Sequence, residues 1–588
     1  MPPMISHPLL VENEIEARAY QLEATNAALA SSTLLVLPTA MGKTAVQWMV
    51  IAETLRTSEG IALLLAPTNA LVDQQHRGLE RVMNLQSGET ISRMTGAISP
   101  AKRKGEWDKH RIFVATPQVV RNDALNGILD LSKVSVLVVD EAHRATGNAA
   151  VAQIGELLIK SNNEATILGA TASPGWNEAS VEEVCDHLHL EGIHVRGSDE
   201  PMLKPYASSL DVEEIRVPVP RELREMAAPL ELWLDAIISR ERRLGHYIRT
   251  GIISMGGLNE AMKRVQAAIS REERVAYRSA GDLGIAIRLH NLSNLLVCQG
   301  VAATREAIRR MHIRLKLKEK GERRLKEFLE DSRIRTLETS LENMEEIHSK
   351  VSFTRRVIRQ EISRNPDGRM IIFANYRDTV AAIVSFIDDI PGIKPTPFVG
   401  QANRDKDGMS HSEQIERLHA FRNGDYNVLV ATSVGEEGLD IPRADLVLFY
   451  EPVGSEIRTI QRRGRTGRHD SGTVYVLIAK DTRDEGAMAA AAKREERMLI
   501  AIRRVKNKRS SFNPDLSLLS SFSVIDNGQV ITAKEFVQKE RNRLREELEE
   551  VDNTPILESG VIQQEDEHPE ISPERRRRRG QSGIEEWY

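Results

Sequence analysis

The 588 residues predict an α/β protein built from two doubly wound parallel sheets with an all-helical insert between them. Short β-branched apolar runs alternate with longer helix-period segments in two separate stretches, which is the rhythm of a wound sheet. Each run is apolar throughout rather than alternating, as strands covered on both faces require. Between them, Arg221 to Lys350 has no comparable run and one proline, Pro229.

In chain order, the first stretch holds TLLVLPT from Thr33, IALLLAPT from Ile61, RIFVATP from Arg111, VSVLVVDEAH from Val134 and TILGATAS from Thr166. The second holds MIIFANYR from Met370, YNVLVATSV from Tyr426, ADLVLFYEP from Ala444 and GTVYVLIA from Gly472, with helix-like segments such as SHSEQIERLHAFRNG between them. The expected divisions are 1–208 for the first α/β domain, 209–350 for the insert, 351–508 for the second α/β domain and 509–588 for a largely flexible charged tail. Strands are expected to stop after about Arg509, with QKERNRLREELEEVD forming one helix ahead of the QEDEHPE and Arg575 to Arg579 segments.

Composition bounds the function. With 41% hydrophobic and 28% charged residues the chain can bury large cores. The 80 Lys and Arg against 85 Asp and Glu exclude a uniformly basic polymer, so any nucleic-acid site must be a patch. Arg221 to Lys350 carries 25 basic against 19 acidic residues, a net +6 in a chain of net −5, and segregates the charge. Its basic residues recur at four-residue spacing: Arg305 with Arg309, then Arg310, Arg314 and Lys318, then Lys316, Lys320 and Arg324. Such a stripe is a nucleic-acid contact or a solvated helix face. Cys185 and Cys298 are too few for a disulfide framework. No signal-like start and no apolar run of about 20 residues is present, so a soluble, cytoplasmic protein without a membrane partner is expected.

The strongest local signal is TLLVLPTAMGKTAVQWMV, a strand, a tight loop ending in Gly42-Lys43-Thr44, and a helix. Backbone N–H groups at a helix N-terminus surround phosphates, a lysine adds a point charge, and a hydroxyl serves Mg²⁺. Leu37 stands where the generic phosphate-loop pattern has its first glycine. About a hundred residues on, a hydrophobic strand ends in Asp140-Glu141-Ala142-His143. Ligands bind at the carboxyl ends of such strands, where Asp140 can hold a metal's water shell and Glu141 can orient and deprotonate an attacking water. In the second domain, QRRGRTGRHDSG places Gln461, Arg465 and Arg468 at spacings of four and three, so one helix face carries two guanidiniums for a γ-phosphate.

With these motifs in this order the chain resembles the superfamily 2 DEAH-box helicases, whose core is two RecA-like domains. The matching strings are RAYQ, PTAMGKT, APTNALVDQQ, TPQVVRND, DEAH, GATASPG, IIFANYRDTV, ATSVGEEGLDIP and QRRGRTGR. Ala40 stands where that superfamily commonly places glycine. FVGQANRDKDGMSHSEQ and GEEGLDIPRADLVLFYEPVGSEIRTIQRRGRTGR are similar to archaeal Hef and the Fanconi anaemia group M helicases.

The resemblance implies an ATP- and Mg²⁺-dependent helicase or translocase acting on forked or branched DNA in repair and fork processing, moving 3′ to 5′. It implies ATP contacts from Arg18, Gln21, Pro38, Thr39, Ala40, Met41, Gly42, Lys43, Thr44, Gly438 and Asp440. Catalysis falls to Glu141, Gln461, Arg465 and Arg468, metal binding to Thr44 and Asp140, and coupling to His143, Thr171 and Ser173. Thr68, Asn69, Thr116, Pro117 and Thr432 are the implied backbone-gripping positions, without base selectivity. A thumb-like insert that contacts duplex DNA adds Arg310, Arg314 and Lys318. Helicases that bind double-stranded RNA carry a similar insert, so an RNA-duplex-dependent ATPase is a second reading, and a non-catalytic scaffold for branched DNA a third. The nuclease signature ERKxxxD does not occur between Arg509 and Tyr588, so no nuclease activity is expected and cutting would fall to a separate nuclease partner.

Overall fold

The computed structural model describes residues 2–38, 41–85, 90–197, 200–206, 211–316, 322–400, 408–432, 444–452, 473–509 and 515–552. Met1–Arg541 forms one compact unit and Asn542–Tyr588 a second.

The first domain is a seven-stranded parallel sheet, order β4-β5-β3-β6-β7-β2-β8. Its strands are β2 (Thr33–Val36), β3 (Ile61–Leu65), β4 (Ile91–Met94), β5 (Ile112–Ala115), β6 (Val134–Asp140), β7 (Thr166–Thr171) and β8 (Gly192–Val195); β1 (Met4–Ser6) lies outside it. One face, through Leu35, Leu64, Val138 and Ala170, packs on α1 (Ala19–Ala30), α2 (Lys43–Thr57) and α3 (Asn69–Val82). The other, through Leu34, Leu63 and Leu137, packs on α5 (Pro117–Leu125), α6 (Ala150–Ser161) and α7 (Glu178–His187), while α4 (Pro100–Glu106) follows β4. Both faces are covered, which is why these strands read as unbroken apolar runs.

The insert is helical, as expected: α8 (Arg221–Arg243), α9 (Met255–Ile269), α10 (Arg274–Gln299), α11 (Val301–Lys316), α12 (Glu322–Glu330) and α13 (Ser332–Glu342). It has its own core around Leu230, Val265, Leu289, Leu296 and Phe328, and the Trp233 and Phe328 rings stack at 5.9 Å.

The second domain follows with α14 (Ser349–Arg364), α15 (Arg377–Ile387), α16 (His411–Asn423) and a six-stranded parallel sheet, order β11-β12-β10-β13-β14-β9. The strands are β9 (Asp211–Val217), β10 (Met370–Phe373), β11 (Pro395–Phe398), β12 (Val428–Ala431), β13 (Leu446–Phe449) and β14 (Thr473–Ala479). Here the expected boundary at residue 209 moves: β9 pairs with β14 from Asp211↔Thr473 to Val217↔Ala479 and so belongs to the second sheet, not to the insert. The chain crosses into the second domain once before the insert and again after it.

The expectation that strands stop at Arg509 is also corrected. After α17 (Arg483–Lys508), β15 (Ser523–Asp526) and β16 (Gln529–Thr532) form a hairpin, and β1 pairs antiparallel with β15. The turn is Asn527-Gly528, both at positive φ, the geometry of the tight hairpin turns that suit the strand twist. Leu519, Phe522, Val524 and, from α18 (Ala533–Asp552), Phe536 and Val537 enter the first domain's core. Burial of these apolar side chains holds the segment down. The expected flexible tail from 553, with the Arg575 to Arg579 run, lies outside the described residues.

Candidate functional site

The carboxyl ends of β2, β6 and β7 bring the sequence-predicted nucleotide residues together. Gly42 caps α2 at φ 72°, a conformation that glycine adopts without penalty. Lys43 opens the helix, and its Nζ folds back across the loop to donate to the carbonyls of Leu37 (3.1 Å) and Pro38 (3.4 Å). Burial lowers the Lys43 ammonium pKa, and the charges of Glu141 and Asp140 oppose that. Gln21, buried on α1, donates to the Met41 carbonyl at 3.0 Å, and the Tyr20 hydroxyl donates to the same oxygen at 3.1 Å. Arg18 pairs with Glu16 and lies 4.7 Å from the Tyr206 ring centroid. Thr39 and Ala40 lie outside the described residues, while Pro38, Met41 and Thr44 sit in the same loop and first helical turn.

Asp140 ends β6 in a cradle of amides. Gln47 Nε2 donates to one carboxylate oxygen at 3.2 Å, Gln75 Nε2 to the other at 3.1 Å, and the Glu141 N–H adds a third bond at 3.1 Å. Burial and the neighbouring Glu141 charge raise the Asp140 carboxyl above its usual range. Glu141 takes φ 53°, a strained left-handed conformation for a side chain of this size, of the kind that gathers at functional positions. Burial would raise its pKa, but His143, Lys43 and Arg144 outweigh that and hold it low. Asp140 and the Thr44 hydroxyl are hard oxygen donors beside a phosphate-type loop, a set that suits Mg²⁺ together with substrate oxygens.

A chain of contacts leaves this site. His143 Nδ1 lies 3.3 Å from Glu141 Oε2 and 3.1 Å from Thr171 Oγ1, which accepts from the Ser173 N–H at 3.1 Å. The Ser173 hydroxyl meets the Met498 sulfur on α17 at 3.0 Å. Met498, Ile502 and Val505 are buried in the first domain's core, whereas Asp484 at the start of the same helix pairs with buried Lys350 of α14 at 2.6 Å. One helix thus holds both α/β domains, a connection the motifs did not announce.

Thr68 and Thr116 are the N-cap residues of α3 and α5, and both line a cavity of about 470 Å³ together with Pro67, Asn69, Gly96, Arg103, Gln118, Val119 and Asn122. Two helix N-termini converge there, the arrangement that favours phosphate. Arg103 was missed from the sequence: it is buried, and its guanidinium forms a fork on Asp123 (2.6 and 2.7 Å) that Trp107 Nε1 also reaches at 3.0 Å. Pro117 is buried at the first turn of α5. Thr432 is buried at the end of β12, where its N–H donates to the Phe398 carbonyl at 3.0 Å.

The insert's basic stripe is divided. Arg310 pairs with Asp378 on α15, and Arg305 donates to the carbonyls of Leu341 and Met344, so both anchor helix to helix. Arg314 is exposed. Lys318, Gly438, Asp440, Gln461, Arg465 and Arg468 lie outside the described residues. Among the described residues no helix is long and apolar enough to cross a membrane.

The DEAD/DEAH box helicase family matches residues 18–181, and the helicase conserved C-terminal domain matches residues 350–470. Among solved structures, the Hef helicase domain of Pyrococcus furiosus is similar, with a TM-score of 0.62 and 34% identity over 81% of this chain and 98% of that one. A Methanocaldococcus jannaschii protein that carries the provisional name ATP-dependent RNA helicase is 37% identical over 84% of this chain, which spans 62% of its length. The Fanconi anemia group M protein of Gallus gallus is 31% identical over 79% of this chain, which spans 25% of its length. With both helicase family models matched in order and 34% identity to the Hef helicase domain over 98% of that chain, the chain belongs to the superfamily 2 DEAD/DEAH-box helicases of the Hef and Fanconi anaemia group M type.

Proposed function

We propose that the protein is an ATP-dependent DNA translocase and helicase that acts on forked or branched DNA and moves 3′ to 5′. The observation that carries it is the line of contacts from Glu141 through His143, Thr171 and Ser173 to Met498, which joins a nucleotide site to a helix held by both domains. A motor needs such a mechanical link.

In this reading Lys43 and the first turn of α2 bind the phosphates, and Gln21 recognises adenine after releasing the Met41 carbonyl. Thr44 and Asp140 would hold Mg²⁺, which supplies charge neutralisation to the phosphates when bound. Glu141 orients a water, accepts its proton as the water oxygen attacks the γ-phosphorus, and the bond to the bridging oxygen breaks toward ADP. Gln461, Arg465 and Arg468 approach from the second domain and stabilise the transferred charge, with Gly438 and Asp440 closing on the nucleotide. Loss of the γ-phosphate is felt at His143 and passed to Ser173. The cavity at Thr68, Asn69 and Thr116, with Pro117, Thr432 and the insert's Arg314 and Lys318, holds phosphodiester groups without reading bases.

The test is ATP turnover with fork DNA, single strand, RNA duplex and no nucleic acid. Stimulation strongest with the fork, and its loss in Glu141→Gln with nucleotide binding kept, is the expected result. Preferential stimulation by RNA duplex would move the substrate to RNA, as the provisional name of the Methanocaldococcus relative reads. Equal rates with and without nucleic acid would sink the motor.

A further inference from the structure

The loop between α8 and α9 is braced by several part-buried contacts. Tyr247 is buried, its hydroxyl accepts from the Ser254 N–H at 3.3 Å, and Gly257 packs so close to its ring that a Cβ there would lie 2.6 Å from the hydroxyl. The backbone N–H groups of His246 and Tyr247 both donate to the Glu241 carbonyl. The fully buried Glu241 carboxylate takes His246 Nδ1 at 2.7 Å and Arg240 at 3.2 Å, and Arg264 donates to the His246 carbonyl at 3.1 Å. Arg242 donates to the Gly251 carbonyl at 3.2 Å while lying 5.4 Å from the Tyr247 ring centroid. Gly245 and Gly251, at φ +76° and +81°, make the two bends.

This scaffold presents apolar side chains to water. Ile252 is 95% exposed and Ile248 61%, with Leu244 at 42%. A lone exposed aliphatic residue needs no explanation, but a fixed loop that holds two isoleucines outward is shaped to meet something. Its charge says what. Residues 240–254 contain four arginines and one acid, Glu241, whose carboxylate is already taken. Arg249 pairs with Glu260, whereas exposed Arg242 and Arg243 meet no carboxylate among the described residues. An apolar protrusion with a cationic rim is complementary to stacked bases framed by phosphates, and aliphatic wedges of this kind do enter base steps.

We propose that the 244–254 loop is a strand-parting wedge: Ile248 and Ile252 press into the last base step of the duplex at a branch point, and Arg242 and Arg243 hold the flanking phosphates. The wedge rests on the DNA-motor reading above and gives the insert its part in it.

The test uses the full chain and forks that carry 2-aminopurine either at the junction or ten base pairs inside the duplex. Binding without nucleotide is expected to brighten the junction probe alone. Ile248→Ser with Ile252→Ser removes that signal and slows fork unwinding by about tenfold, while single-strand-stimulated ATPase stays within about twofold. Ile248→Leu with Ile252→Leu keeps the junction signal, which separates an apolar contact from a folding defect. Arg242→Gln with Arg243→Gln lowers the slope of log affinity against log salt by about two phosphates' worth, close to 0.9 each. An unchanged junction signal and unwinding rate in the serine variant overturns the wedge and leaves the loop as a protein-docking face. Absence of any DNA-stimulated ATPase in the unaltered chain instead defeats the motor reading.

Discussion

The Ser173 hydroxyl sits 3.0 Å from the Met498 sulfur, and through that contact the segment after β7 touches a helix that begins in the other domain. Met498 is 3% exposed and packed in the first domain's core. Met498→Ala should therefore lower unfolding stability by about 2–4 kcal/mol by leaving a cavity. Met498→Leu, of similar volume, should cost under about 1.5 kcal/mol. Thermal unfolding measures both. If α17 transmits nucleotide state, Met498→Ala also lowers DNA-stimulated ATPase more than basal ATPase. Equal loss of the two rates would make the contact structural only.

The other end of α17 depends on a buried ion pair. Lys350 and Asp484 meet at 2.6 Å with side chains 0% and 5% exposed, and the same Asp484 oxygen accepts from the Ala479 N–H. Removing one partner of such a pair strands the other charge in a poor dielectric. Asp484→Ala is expected to cost about 3–5 kcal/mol, and adding Lys350→Met to it should recover most of that, because an apolar replacement of both is often neutral. Urea unfolding of the single and double variants checks this; no recovery in the double would mean that Asp484 acts mainly through the Ala479 bond.

The strands that the sequence revealed and those it hid differ in one physical respect. Each apolar run from TLLVLPT to GTVYVLIA became a strand with neighbours on both sides. Those missed in the two large sheets, β4, β8, β9 and β11, are their four edges. An edge strand is paired once and can carry charge or proline, as ISRM, DVEEIRV and PTPF do, so no continuous run marks it. The β15–β16 hairpin did carry a local signal, the Asn-Gly step in VIDNGQVI. Lys43, Asp140, Glu141 and His143 were singled out in the sequence because each stands in a short contiguous motif at the end of an apolar run. Arg103 was not, since its meaning depends on Asp123, which lies beside it only after folding.

Acid should loosen the C-terminal hairpin first. His7 Nε2 lies 2.9 Å from Glu53 Oε2, Ser521 donates to the same oxygen at 2.7 Å, and Phe522 stacks on the His7 ring at 4.4 Å. Burial lowers the His7 pKa from 6.5 against the pull of Glu53. For Glu53, burial would raise the value, but Arg56, Ser521 and His7 bring it from 4.5 to about 2. The unfolded chain binds protons first at both groups, so both shifts lose stability in the same direction. The His7 part fades as pH falls below 6.5, and the Glu53 part is complete above 4.5 and lost toward pH 2. Hydrogen-exchange protection across 523–537 should fall between pH 7 and 5. His7→Asn should flatten that limb and leave the lower one, and a limb unchanged in the variant would assign it to other groups.

Gly42 is asked for two things at once, and they can be separated. Its φ of 72° is costly for any residue with a Cβ, and a Cβ built there would come within 2.2 Å of the Gln21 Nε2 that donates to the Met41 carbonyl. Gly42→Ala thus strains the cap by about 1–2 kcal/mol and drives Gln21 off its acceptor, leaving the Met41 oxygen with the Tyr20 hydroxyl alone. A loop deformed by that much should bind nucleotide about tenfold more weakly, since about 1.4 kcal/mol is a factor of ten. Titration with a fluorescent ATP analogue reads this directly. Gln21→Ala opens the space that the new methyl needs without touching φ. If the collision dominates, the double variant binds more tightly than Gly42→Ala; if the backbone conformation dominates, it binds no better and shows the further loss of the proposed adenine contact. Affinity unchanged in Gly42→Ala would mean that the first turn of α2 does not receive the phosphates, and the assignment of Lys43 would fall with it.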